Sequence, residues 1–392
     1  MSGQGTHSQA AAQQEPLLNR QMVMLLLTVA GAMASFYLLL SVIPLSAATG
    51  GSGGVAAGLA TGAMMLSTVL TELLVPRLVA RLGYRGALSL GLVLLGVPAL
   101  ALPGTSSVPL LLSVCLARGA GLGIIVVAGA ALAAELAPVS RLGEALGIYG
   151  VASAIPSIVF LPLGLWSVPH TGYGPVFVGS AVVACLALLA VLGLPSLSAK
   201  VERHSSVLPG FRVGRLTRPV VVFSAITLAA GVWVTFLALA MPAEIRQWAP
   251  VALLVQSVAT PTARWGAGRF GDRFGSGGLL VPAVVAAGAG AGLSFWVAHP
   301  IAVVVGMALF GIGFGIAQNV TLALMYARSS RAEYGRVSAM WNLGYDGGMG
   351  IGAVGFGFLT EVVPYPIAFA VVAAVVFAAL LPACLDLSKA KA

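Results

Sequence analysis

A few ionisable side chains stand inside long apolar segments, where a charge is costly. Asp346 lies about ten residues into one such segment, and Asn342 precedes it by four residues, on the same face of a helix. A charge at the centre of a bilayer costs roughly 2.5–3.5 kcal/mol even on lenient insertion scales. Asp346 and Asn342 are therefore candidates for binding a proton or a substrate. A buried acid that neighbouring hydroxyl groups satisfy is the alternative.

Three other places in apolar segments carry polar groups. Arg118 can pair with an acid or attract an anionic substrate group, or it can extend its side chain to a membrane surface. Glu72 occupies the same place in its segment as Arg264 does 192 residues later, which suggests opposed gating charges or two interfacial residues. The amides of Gln318 and Asn319 are costly in lipid unless they have partners, so we expect them to face the bundle interior.

The segments that position these residues are long enough to cross a membrane as helices. About 20 apolar residues span a bilayer core, and the chain is 59% hydrophobic and 8% charged. The sequence therefore predicts an all-α membrane protein. We place its twelve transmembrane helices at 21–43, 54–76, 86–104, 108–134, 143–167, 175–195, 219–241, 249–268, 278–298, 300–326, 336–360 and 364–386.

One constant offset of 192 residues relates four features of the chain. Arg81-Leu82-Gly83 returns as Arg273-Phe274-Gly275, the glycine-rich run 119–124 returns as 311–316, Glu72 corresponds to Arg264, and Gly143 corresponds to Gly335. The offset predicts a duplicated unit. An even number of helices separates the copies, so both face the same side, as in parallel repeats.

The repeat predicts how the chain is divided. We expect a disordered cytoplasmic tail over 1–20, a six-helix bundle over 21–195, a cytoplasmic linker over 196–218, a second six-helix bundle over 219–386 and a short tail over 387–392.

The basic residues indicate an orientation for these helices. With both termini in the cytoplasm, 18 of the 20 basic residues fall in inner segments, as the positive-inside rule requires. The net charge of +9 therefore reflects topology and does not favour nucleic-acid binding. We expect a multi-pass protein of a bacterial inner membrane, because the arginine excess is typical of bacterial genomes.

The segment after the second apolar run of each half resembles a signature of the major facilitator superfamily, G-x-x-x-D-R-x-G. The later copy has all four residues, Gly268, Asp272, Arg273 and Gly275. The earlier copy keeps Arg81 and Gly83 but has Pro76 and Ala80 in place of the glycine and the acid. The resemblance implies a gating latch at the inner surface, which holds one face closed. Arginines that serve only to set the topology are the alternative.

A second motif is similar to the Gly/Pro-rich motif of the drug/proton antiporter branch. Its residues here are Gly147, Gly150, Pro156, Pro162 and Gly164. The superfamily resemblance also implies that helices 1, 4, 7 and 10 line a central cavity. On those helices the candidates are Tyr37, Arg118, Trp233 and Gln318.

These observations favour a secondary active transporter over an enzyme. No zinc-protease motif, phosphate-binding loop or nucleophile elbow is present, so we expect no cofactor and no metal. We expect a proton-coupled exporter of a small, partly apolar drug or secondary metabolite, with Asp346 as the proton carrier. An uptake symporter for a sugar or organic acid, or a membrane sensor that transports nothing, is the alternative. The expected partners are the substrate, protons and the lipid bilayer, and the protein is expected to be monomeric.

Overall fold

The computed structural model describes residues 18–105, 107–138, 141–197, 214–330 and 333–390, and the regular structure in these ranges is helical. The long helices follow the predicted order and confirm the twelve-helix fold. They are α1 (Arg20–Leu40, continuing as Val42–Ala47), α2 (Gly53–Glu72), α3 (Val75–Gly96), α4 (Val108–Leu136), α5 (Leu142–Thr171), α6 (Tyr173–Val191), α7 (Gly214–Ala240), α8 (Trp248–Phe274), α9 (Leu280–Leu293), α10 (Pro300–Ala327), α11 (Tyr334–Leu359) and α12 (Tyr365–Ala378, continuing as Leu380–Ala390).

Ten of these helices are long and apolar enough to cross a membrane on hydropathy alone, within the ranges that the structure describes. The two exceptions are α8 and α11, which carry Arg264 and Asp346. Both pack against helices of the other half: α8 packs on α5 as well as on α10, and α11 packs between α2 and α7. The more polar helices are therefore those that line the contact between the two halves.

The sequence repeat has a counterpart in the helix contacts. A Cβ atom added to Gly119 of α4 would collide with the carbonyl oxygen of Met64 in α2. One at Gly311 of α10 would lie 2.9 Å from the carbonyl oxygen of Gln256 in α8. Both the glycines and their partners are 192 residues apart. Small residues thus bring α2 onto α4 and α8 onto α10 in the same register.

The two halves meet along α2 and α11. A Cβ atom at Gly58 of α2 would lie 2.5 Å from the carbonyl oxygen of Ala353. The hydroxyl groups of Thr61 in α2 and Thr235 in α7 form a buried hydrogen bond of 2.8 Å across the halves. These contacts lie toward the membrane surface opposite the chain ends. We call that side the far surface, and the side that carries both described chain ends the terminal surface.

The close contacts between the halves lie toward the far surface. Gly54 of α2 faces the carbonyl oxygen of Gly357, and a Cβ at Gly62 would collide with the side chain of Val354. Toward the terminal surface, Gly143, Gly147 and Gly150 of α5 have no atom of a neighbouring helix within 4 Å of an added Cβ. The packing of α2 on α11 is therefore tight on the far side.

Pro76 interrupts the second membrane helix within the predicted range 54–76. The helix α2 ends at Glu72, a turn follows, and α3 begins at Val75. Proline has no N–H to donate to the Glu72 carbonyl four residues earlier, and its ring crowds that carbonyl. In the second half, α8 has Gly268 at the matching position and runs on to Phe274, past its predicted end at 268.

Three other predicted boundaries were wrong by a few residues. The helix α1 begins at Arg20, where the side chain of Asn19 accepts a hydrogen bond of 2.8 Å from the Met22 amide, so the predicted tail ends in a helix cap. The helix α7 begins at Gly214, inside the predicted linker, and α12 continues to Ala390. Helices can extend past the apolar core into water, which a hydropathy limit does not detect. The ranges 1–17, 198–213 and 391–392 of the predicted tails and linker lie outside the described residues, and the domain division stays a prediction.

Candidate functional site

Two carboxyl groups from different halves stand on helices that pack against each other, α2 and α11. Glu72 is the last residue of α2 and is half-buried, and Asp346 lies midway along α11 with about 9% of its surface exposed. The two side chains are near enough to interact electrostatically. Two like charges at such a place repel each other more strongly than they would in water. The two charges therefore repel each other across the halves, and a proton bound to either acid removes the repulsion.

Polar side chains surround this acidic pair. Tyr37 of α1 and Tyr345 of α11 both interact electrostatically with Asp346. Arg264 of α8 interacts with the same two tyrosines. Its Nη1 donates a hydrogen bond of 3.2 Å to Oε1 of Gln318 in α10. The cluster thus holds two acids and one base, contributed by five helices of both halves.

An aromatic wall borders the cluster on its α11 side. The Trp341 ring stacks on Phe223 of α7 with centroids 4.5 Å apart, and its Nε1 donates a hydrogen bond of 3.0 Å to Oγ1 of Thr321. Tyr345 follows one turn later, 5.8 Å from Trp341. Both rings are half-buried, so they are fixed from behind and leave an accessible side. Their spacing of four residues next to Asp346 was a signal that the sequence analysis did not use.

Comparison with known proteins identifies the family. Residues 25–327 match the Major Facilitator Superfamily. The chain belongs to this superfamily. No curated protein matches the chain at a significant level.

Solved structures agree with this superfamily fold. The structure resembles the nucleoside transporter NupG, as its D323A mutant, with a TM-score of 0.78 at 13% identity, covering 94% of this chain and 99% of that one. It also resembles a D-xylose-proton symporter, with a TM-score of 0.73 at 16% identity and coverage of 92% and 96%. The inward-open xylose transporter XylE from E. coli gives 0.73 at 15% identity, with coverage of 93% and 96%. At these identities the likeness establishes the fold alone.

In this superfamily member Arg118 lies away from the acidic pair. Its guanidinium donates hydrogen bonds to the carbonyl oxygens of Leu95 and, at 3.0 Å, of Ser35, and to Oγ of Ser180 at 3.3 Å. These partners belong to α3, α1 and α6, and the side chain is 1% exposed. The geometry favours a role in holding the first half together.

Trp233 also belongs to a packed interior. Its ring stacks on Phe369 at 4.7 Å and meets Phe310 edge-on at 6.1 Å, and it is 1% exposed. Phe310 is the counterpart of Arg118 in the repeat. Aromatic packing in the second half thus occupies the place of the arginine network in the first.

The signature residues lie at the terminal surface. Gly83 breaks α3 at a kink with φ of 69°, and Gly275 follows the end of α8 with φ of 84°, a conformation that glycine adopts without a steric penalty. Arg81, Asp272 and Arg273 are exposed and form no ion pair in the described ranges. The gating role of these residues therefore stays a prediction.

The remaining candidates are divided between the cavity and the helix contacts. Asn342 is half-buried on the Asp346 face of α11. Asn319 lies 3.2 Å from an added Cβ at Gly268, so its amide faces the signature segment. In the α5 motif, Pro156 and Gly164 are buried and Pro162 is half-buried, whereas Gly147 and Gly150 face the open gap. No group of three metal-binding side chains occurs in the described ranges.

Proposed function

We propose that this protein is a proton-coupled transporter that exchanges protons for a small, partly apolar molecule by alternating access, in the direction of export. The observation that carries the proposal is the placement of Glu72 and Asp346 on α2 and α11, two helices of different halves that pack against each other. We further propose that the terminal surface faces the cytoplasm of a bacterial cell, as the basic residues indicate.

The acidic pair supplies a reason for the halves to move. When both carboxylates are charged, their repulsion opposes close approach of α2 and α11 near Glu72, which favours the cavity open at the terminal surface. A proton on either acid removes the repulsion and allows the halves to close there. Each half contributes one acid, so proton binding acts directly on their relative position. The proton therefore binds one conformation more strongly than the other, and an ion can drive a conformational change only if it does so.

The walls of the cavity indicate the kind of substrate. Trp341 and Tyr345 present aromatic surface, on which a planar or apolar group can stack. Asn342 and Gln318 add donors and acceptors close to the acids, so a substrate with polar edges is also accommodated. A substrate that binds best beside the charged pair competes with the proton, and competition at one site gives exchange.

Uptake by symport is the second candidate. It is supported by the fold likeness to a D-xylose-proton symporter and to a nucleoside transporter. A nucleoside has a planar ring that would suit the aromatic wall. In that case the proton and the substrate would bind together, and the protonated pair would favour the substrate.

The test is transport in proteoliposomes of known orientation. A pH gradient of either sign is imposed, and the flux of planar apolar compounds, nucleosides and sugars is followed together with proton flux. Export by exchange predicts that the substrate and the protons cross the membrane in opposite directions, and that each transported compound causes proton movement opposite to its own. Movement in the same direction would replace export by symport. Binding without any flux would exclude transport and favour the sensor alternative.

A further inference from the structure

A groove of about 800 Å³ runs along the outside of the second half, away from the central cavity. Its walls are apolar residues of α8, and Ile312 and Ile316 of α10 form its floor. Leu279, at the start of α9, closes one end. Its residues include Val258, Thr262 and Gly266, which follow one face of α8 at helical spacing.

The groove opens toward the lipid. Both α8 and α9 pack extensively on α10, but they pack little against each other. Ile312 lies on the α10 face between the glycine that meets α8, Gly311, and the one that meets α9, Gly313, and it is exposed. Hydrocarbon chains therefore have access to the floor of the groove between the two outer helices.

Two arginines lie where the groove reaches the terminal surface. Arg269 and Arg273 are three and seven residues beyond Gly266, so they continue the groove face of α8. Both are exposed, and neither forms an ion pair in the described ranges. Arg269 lies over the ring of Trp265, 4.5 Å from its centroid. Asp272 is next to them and exposed, which leaves this end with a net positive charge.

We propose that this groove binds an anionic phospholipid of the leaflet at the terminal surface. One acyl chain lies along α8 over Ile312 and Ile316, and the phosphate and acidic headgroup contact Arg269 and Arg273. The apolar lining favours an acyl chain, and the two arginines favour a negatively charged headgroup. A neutral lipid would fill the groove but would leave both arginines without an anionic partner. The site is separate from the acidic pair, so it does not depend on the proposed transport mechanism.

The first half provides a matched comparison. Positions 192 residues earlier hold Arg77 and Arg81, also exposed, so both halves carry the arginine pair. Leu70 and Leu74 stand there in place of Thr262 and Gly266. Both leucines are about half exposed, and Leu74 lies in the turn between α2 and α3, so the first half does not repeat the groove lining. Arg77 and Arg81 therefore serve as an internal control.

The experiment measures lipid retention by the full-length protein. Native mass spectrometry in detergent counts bound phosphatidylglycerol and phosphatidylcholine for the wild type, for Gly266→Leu, for the double variant R269Q/R273Q and for the control R77Q/R81Q. No neighbouring atom lies within 4 Å of a Cβ at Gly266, so the leucine enters the groove without displacing the helix. A melting curve for each variant shows that it is folded.

We expect one phosphatidylglycerol to bind the wild type and the control. Each arginine near a lipid surface contributes about fivefold in affinity, so R269Q/R273Q should bind it about 30-fold more weakly. Gly266→Leu should lose it although both arginines remain. Equal retention of the two lipids by the wild type would overturn the proposal. So would a loss in R77Q/R81Q equal to that in R269Q/R273Q, or full binding by folded Gly266→Leu.

Discussion

Asp346→Asn should remove the response of the protein to pH while leaving the fold intact. The change keeps the size of the side chain and deletes one of the two interacting charges. At an effective dielectric constant of 20, two unit charges separated by roughly 8 Å repel each other by about 2 kcal/mol, which is the order of magnitude expected for such a pair. That energy corresponds to roughly a 30-fold change in the ratio of open to closed cavity at the terminal surface.

The ratio can be followed with spin labels at Gly143 and Gly335, which occupy matching places in the two halves and have open space around them. The three cysteines, Cys115, Cys185 and Cys384, are replaced first. In the wild type, charged acids favour separation, so the labels should approach each other as the pH falls. In Asp346→Asn, and likewise in Glu72→Gln, the distance distribution should stay constant with pH.

The same variants should lose proton-driven accumulation in proteoliposomes but keep counterflow of substrate, which needs no net proton movement. Glu244→Gln is the matched control, since Glu244 is an exposed acid in the connection between α7 and α8. If Asp346→Asn retained both the pH-dependent distances and the driven transport of the control, the acidic pair would not be the proton site.

Three further predictions concern packing and substrate contact. Arg118→Met should lower the free energy of unfolding by about 3 kcal/mol, because it removes hydrogen bonds from a charged donor, yet proton coupling should persist in a folded sample; abolished coupling would return Arg118 to the site. Trp341→Ala should weaken binding of a planar substrate by about tenfold, as expected for one lost stacking contact, and Trp341→Phe should restore most of it in a titration. Gly58→Leu should prevent the far surface from closing, because its Cβ would lie 2.5 Å from the Ala353 carbonyl oxygen, so labels across that surface should stay apart; an unchanged distance would contradict the packing.

The sequence predicted the fold because each membrane helix is a long run of apolar residues and because the two halves repeat at an offset of 192 residues. Hydropathy alone does not select α8 and α11. The sequence prediction placed them by the length of their apolar runs, and the positions of the basic residues supported the count of twelve. The boundaries near Gly214 and Glu72 were wrong because a helix continues into water and because Pro76 acts on a carbonyl four residues away.

The candidate site could be predicted only in part. Asp346 and Glu72 stood out because each is a charge in an apolar segment, but their proximity depends on how α2 packs on α11. Arg118 stood out for the same reason, and helix number selected both Arg118 and Trp233. Neither signal gives a helix face, and the contacts of both side chains lie within their own half. Trp341 was missed because an aromatic residue in a membrane helix is not unusual until its neighbours are known.

The interruption at Pro76 makes the two repeats mechanically unequal. In the second half, the single helix α8 carries Arg264, Arg269 and Arg273, so these residues move together when α8 tilts. In the first half, the piece bearing Arg77 and Arg81 is joined to the Glu72 level by a two-residue turn. The start of α3 is therefore not continuous with α2, whose glycines pack against α11. The proton that we propose binds at Glu72 would therefore bind beside a turn that the second half does not have.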